Sequence, residues 1–134
     1  MNTQVKGNIA LGKAISYFTE HEYTVSIPLN DSQCYDLIIE KDGVLQTVQV
    51  KYTSKIKPSG AYGCKLETTS GTSKQVIYRL KDTYVELLFC YCANGDMFLI
   101  PTKDFNNQCE ISLSRIRATN ANKKTLDTSK YVVN

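Results

Sequence analysis

The chain has 134 residues, enough for one domain with a substantial core and few for more than one. With 42% hydrophobic and 22% charged residues it has an ordinary globular composition, and no apolar run nears the roughly 20 residues of a membrane span. The net charge of +3 hides an asymmetry: residues 51–81 carry seven basic side chains against one acid, Glu67, leaving −3 elsewhere. Such segregation suits a polyanion-binding surface, and a solvated lysine-rich loop would look the same. The opening Met-Asn-Thr-Gln-Val-Lys-Gly has no apolar stretch of the signal-peptide kind, so the expected location is the cytoplasm. Five cysteines and a single histidine, His21, with no Cys-x-x-Cys pair, argue against zinc and against a disulfide framework; buried, reduced thiols are expected.

In chain order, residues 3–22 predict a helix, because Leu11, Ile15 and Phe18 recur on one face. Gly7 and Gly12 inside it suggest a close approach to a neighbour. A short β-prone run over 23–27 closes at Pro28, and a polar connection leads to residues 35–53. There, two aliphatic runs flank Asp42-Gly43, the dipeptide suited to a two-residue hairpin bend. Alternation over Tyr62, Cys64, Leu66 and Thr68 predicts one further strand, followed by a loop over 69–73. Residues 76–80 are apolar and too few to classify. A second hairpin, 84–92 with 97–100, is predicted around Asn94-Gly95, and its near-continuous hydrophobicity marks central strands. A helical turn is predicted at 101–105, strand or helix at 110–116, and a short helix or partner-contacting arm at 118–134. The order describes a single α+β domain with a mixed central sheet.

A bend at Asp42-Gly43 pairs Lys41 with Val44 and therefore Asp36 with Gln49. Lys51 lies one pleat beyond Gln49 on the same face, while Leu37, Ile39, Val48 and Val50 form the opposite, apolar face. A carboxylate, a carboxamide and an ammonium thus converge at the open end of one hairpin.

Asp36 with Gln49-Val-Lys51 resembles the core of the PD-(D/E)XK, or restriction-endonuclease-like, nucleases. Lys6-Gly7 before the helix, Pro28-Leu-Asn-Asp, Tyr35-Asp-Leu-Ile-Ile-Glu, Val48-Gln-Val-Lys and Leu99-Ile-Pro-Thr resemble one branch in particular. That branch is the cyanobacterial group I intron-encoded homing endonucleases, in which Gln replaces the usual acid before x-Lys. The resemblance implies a mixed sheet flanked by helices and Mg²⁺-dependent cleavage of double-stranded DNA at a specific sequence. Mn²⁺ would substitute for Mg²⁺, and Ca²⁺ would bind without supporting turnover. Asp36, the Gln49 side-chain oxygen and the Val50 carbonyl would be the oxygen ligands such a hard cation prefers. Lys51 would position or deprotonate the attacking water and offset charge on the phosphate. A homotetramer, with a dimer as the smaller alternative, is implied as well.

One position departs from the pattern. The family places a glutamate on the first helix, and the residue aligned there is Leu11, which binds no metal. Either Glu20 or Glu22 substitutes, or cleavage is impaired in this chain; packing in the core also accounts for Leu11. DNA contact would fall to the basic segment 53–81, inserted after the hairpin as a β-ribbon, with Lys55, Lys57, Lys74, Arg79 and Lys81 as candidates. Arg115, Arg117, Lys123 and Lys124 would extend the footprint. Two further readings stay open: a non-catalytic, sequence-specific DNA-binding protein on the same fold, and a DNA-repair or junction-resolving nuclease.

Overall fold

The computed structural model describes residues 1–69, 77–79, 83–106, 109–117 and 126–134. Helix α1 spans Thr3–Glu20, capped by Asn2, whose side-chain oxygen accepts the Val5 N–H at 2.9 Å. Ala10, Ala14 and Phe18 recur every four residues and form its buried stripe. Gly7 and Gly12 face open space, so no close approach explains them. No helix of the described residues is long and apolar enough to cross a membrane.

Among the described residues, ten strands follow in chain order. These are β1 (Thr24–Ser26), β2 (Leu37–Lys41), β3 (Val44–Thr53), β4 (Tyr62–Lys65), β5 (Glu67–Thr69), β6 (Ile77–Arg79), β7 (Leu87–Cys92), β8 (Met97–Pro101), β9 (Glu110–Leu113) and β10 (Val132–Val133). Six of them make the main sheet, in the order β1-β2-β3-β7-β8-β10. β3 and β7 run parallel, and the other neighbours run antiparallel. Two strands can be parallel neighbours only if a long connection carries the chain back to the starting end. The basic segment is that connection.

The β2–β3 bend has the predicted geometry: Asp42 (φ 53°) and Gly43 (φ 80°) both take left-handed backbone, and Lys41 pairs with Val44. The second hairpin differs. Tyr91 pairs with Met97, the Gly95 N–H bonds the Cys92 carbonyl, and Gly95 has positive φ (96°) whereas Asn94 does not. A turn of more than two residues, closed by a left-handed glycine, joins these strands.

The alternating run 62–68 is not one strand. It breaks at buried Leu66, whose N–H bonds the Cys109 carbonyl; β4 then pairs with β9 and β5 with β6. Residues 110–113 resolve as strand because β4 supplies their hydrogen bonds. The second helical element is a single 3-10 turn, Thr102–Asp104, and α1 is the one α-helix among the described residues. Residues 126–134, the described part of the tail, pack on the domain. A 3-10 turn at Thr128–Tyr131 leads into β10, which pairs with β8, and the Tyr131 hydroxyl donates to Asp104 at 2.8 Å.

Apolar side chains cover both faces of the sheet. On the helix side, Ala14, Phe18, Leu37, Ile39, Val48, Leu87 and Phe89 pack together. On the other, Leu88, Cys90, Cys92, Phe98 and Ile100 pack against Cys64, Leu66, Phe105, Ile111 and Leu113. β7 feeds both clusters, which explains its unbroken hydrophobicity. All five cysteines are free; Cys64, Cys90 and Cys92 are buried as expected, whereas Cys34 is half-buried and Cys109 exposed.

Candidate active site

β2 pairs with β3 only as far as Leu37–Val48, yet β3 continues to Thr53 along β7. Past that point the backbone groups of β3 that face β2 have lost their strand partner. Asp36 fills the gap. Its own N–H bonds the Val48 carbonyl at 2.8 Å, and its Oδ2 accepts the Val50 N–H at 2.8 Å, standing in for a ladder carbonyl. The same Oδ2 accepts Gln49 Nε2 at 2.8 Å, so the cross-strand neighbours expected from the bend do touch.

That contact sets the amide orientation, since the reverse would put two oxygens face to face. Gln49 Oε1 is left buried with no hydrogen-bond partner. The Val50 carbonyl leaves the strand on the side of its N–H, toward Asp36, with Gln49 Nε2 at 3.5 Å. The Asp36 carboxylate and the Val50 carbonyl thus flank the Gln49 amide nitrogen, and the amide oxygen is turned off that contact. Turned over about its last bond, the Gln49 amide would add its oxygen to them, three hard donors of the kind a Mg²⁺-like ion retaining several waters prefers. Among the described residues no group of three or more His, Cys, Asp or Glu forms.

Lys51 lies on the same face, one pleat along, in register with Cys90. Its ammonium donates to the Glu67 carbonyl at 2.8 Å and, among the described residues, makes no ion pair with Asp36. Two of the three ammonium hydrogens remain for other partners. No sequence pattern marks this carbonyl, because a backbone acceptor has no residue signature.

Burial holds the Asp36 carboxyl above its usual value of 3.8, against the opposing pull of the Val50 N–H and the nearby Lys51 charge. A raised folded-state pKa means that the fold disfavours the ionised form. The penalty is full above that pKa, fades as pH falls through it and vanishes below the unfolded value. Asp36→Asn keeps an oxygen for both hydrogen bonds and removes the charge. Melts without divalent metal should show the variant stabilised at pH 7 by roughly 0.5–2 kcal/mol, an advantage gone by about pH 3.

Leu11 is half-buried and packs, with Ile15 and Val50, against the helix-side cluster. Lys6 lies over the Tyr52 ring at 5.8 Å, which brings the start of α1 to the site end of β3. Glu20 and Glu22 lie at the wrong end. Lys41, at the bend, donates to the His21 carbonyl at 3.0 Å and covers Tyr23 at 4.9 Å. From Lys41 back to Asp36 is five residues of strand, roughly 17 Å. Neither glutamate substitutes for the missing one.

Of the five expected DNA-binding side chains, the described residues include two, and these lie together. Lys55 and Lys57 converge on Glu110, at 3.3 and 3.4 Å, a residue that no sequence pattern singled out. Arg79 falls in β6 opposite Glu67, and its side chain, like Lys74, Lys81, Lys123 and Lys124, lies outside the described residues. Arg115 pairs with Asp96 at 2.7 Å, and Arg117 is exposed. The segment as a whole is not one ribbon, because β4 takes its partner from β9.

Comparison with known proteins bears on this arrangement. The solved structure titled "The structure of a bacterial homing endonuclease: I-Ssp6803I" superimposes with a TM-score of 0.76 over 98% of this chain and 89% of that one. At 24% sequence identity, the likeness speaks for the fold. No curated protein matches. The family model described as PD-(D/E)XK endonuclease matches residues 1–132, nearly the whole sequence. The restriction-endonuclease-like core expected from Asp36, Gln49 and Lys51 is therefore present, and the chain belongs to the PD-(D/E)XK endonuclease family.

Proposed function

We propose that the protein is a homing-type endonuclease that recognises a specific sequence in double-stranded DNA, with cleavage impaired in this chain by Leu11. The observation that carries the reading is the Asp36 carboxylate held against Gln49, whose buried Oε1 has no partner, one pleat from Lys51. A polar atom of this kind is costly unless a ligand completes it. Asp36, Gln49 and the Val50 carbonyl would hold Mg²⁺, which supplies Lewis-acid charge to the phosphodiester when bound. Lys51, anchored on Glu67, presents its spare donors to a phosphate oxygen and orients the attacking water. Lys55 and Lys57, which meet at Glu110, would serve as phosphate contacts. A homotetramer is part of the same reading, with the family likeness as its support.

A second reading, DNA binding without cleavage, is favoured by Asp36 being, among the described residues, the acid whose side chain meets Gln49 and by the apolar packing of Leu11. Gel shifts in Ca²⁺ test the DNA reading common to both. The association constant should fall with salt with a log–log slope of about −2 or steeper, as for two or more neutralised phosphates. A flat salt dependence, or no shift at low salt, would exclude DNA as the partner.

A further inference from the structure

Lys55 and Lys57 do not stand free. Glu110 on β9 places Oε2 3.3 Å from Lys55 Nζ and Oε1 3.4 Å from Lys57 Nζ, so one carboxylate bridges two ammonium groups. Lys57 also donates to the Ser112 hydroxyl at 2.9 Å. The carboxylate lies directly over Gly63 of β4, where an added Cβ would meet Oε1 at 2.6 Å. Gly63 has ordinary strand backbone, with Ser112 as its partner across the ladder. Its missing side chain here serves to leave room for the Glu110 carboxylate. The two lysines hold the Glu110 carboxyl below its usual value, Lys55 first. The bridge is half open to water: the Lys55, Lys57 and Glu110 side chains are 66%, 30% and 25% exposed.

Two oxygens on one centre, each facing an ammonium, reproduce what the non-bridging oxygens of a phosphodiester would present. We propose that Glu110 is an internal phosphate mimic: it occupies the Lys55–Lys57 site until a DNA phosphodiester displaces it. The proposal rests on the DNA-binding reading above. Exposed ion pairs are weak, so the exchange costs little at a strongly bound site. On weakly bound DNA the carboxylate stays in place, which lowers non-specific affinity and leaves the specific site favoured.

Glu110→Gln removes the competitor and keeps the side chain's size. Gly63→Ala evicts the carboxylate without changing net charge, since the atoms its methyl meets belong to flexible side chains. Binding to a non-specific duplex in Ca²⁺ at about 50 mM salt should tighten roughly threefold to tenfold in both variants, the scale of two exposed ion pairs. The log–log salt slope should steepen by about 1 to 2. Lys55→Gln with Lys57→Gln, added to Glu110→Gln, should cancel the gain.

If the unaltered chain binds no DNA, both the DNA reading and this proposal fall. If it binds through Lys55 and Lys57 but neither variant binds tighter, the mimic alone is overturned and Glu110 is a staple of the β4–β9 pair. Tightening in Glu110→Gln without any in Gly63→Ala would report net charge at a distance, and it too would overturn the proposal.

Discussion

Leu11→Glu is expected to raise Mg²⁺-dependent cleavage of plasmid DNA by about 10²-fold or more, the scale of a lost charge-stabilising group in an active site. Position 11 belongs to the half of α1 alongside the site end of β3, where Leu11 packs with Val50 on the helix-side cluster. A carboxylate there would add the second negative ligand that a Mg²⁺-like ion lacks beside Asp36. Half-burying a charge has a cost, so melts without metal should show the variant destabilised by roughly 1–3 kcal/mol. Mn²⁺ or Ca²⁺ should return part of that, because a ligand bound only by the folded state stabilises it. This shift registers metal binding independently of turnover. A variant that folds, binds DNA in Ca²⁺ and gains stability from metal, yet cuts nothing, would show that Leu11 is not what limits cleavage.

In that Leu11→Glu background, Lys51→Ala should lower cleavage by about 10²- to 10⁴-fold, in line with loss of a positioned charge and proton-handling group. DNA affinity should change by less than about threefold, since one site lysine among many phosphate contacts contributes little to binding. The ammonium also holds the Glu67 carbonyl, so a stability loss of about 1 kcal/mol is expected from that hydrogen bond. Asp36→Asn should match Lys51→Ala in cleavage while melting higher. Opposite stability shifts with the same loss of activity would separate a chemical role from a structural one. If both variants lost DNA binding, the pair would be scaffolding instead.

The hairpin site was legible before any coordinates, for a local reason. Asp42-Gly43 suits a two-residue bend, and once the bend is placed, strand periodicity dictates that Asp36 meets Gln49 and that Lys51 shares their face. Asn94-Gly95 marked the second hairpin but not its loop length, because the same kind of dipeptide also serves a longer turn. The run 62–68 misled differently. Its alternation is real, but an alternating stretch does not declare its partner, and Leu66 is where the chain passes from one small sheet to another.

By itself, the sequence determined α1, the β2–β3 register, the central place of β7 and the grouping of Asp36, Gln49 and Lys51 on one face. Each follows from helix or strand periodicity plus one bend. Only the tertiary structure decided the rest: that Glu20 and Glu22 lie about a strand's length from the site, that Lys51 rests on a carbonyl of β5, and that Glu110 sits between Lys55 and Lys57. These contacts join residues 16 to 55 positions apart, and their formation depends on which strands pair across the sheet, a choice that side-chain spacing within one segment does not encode.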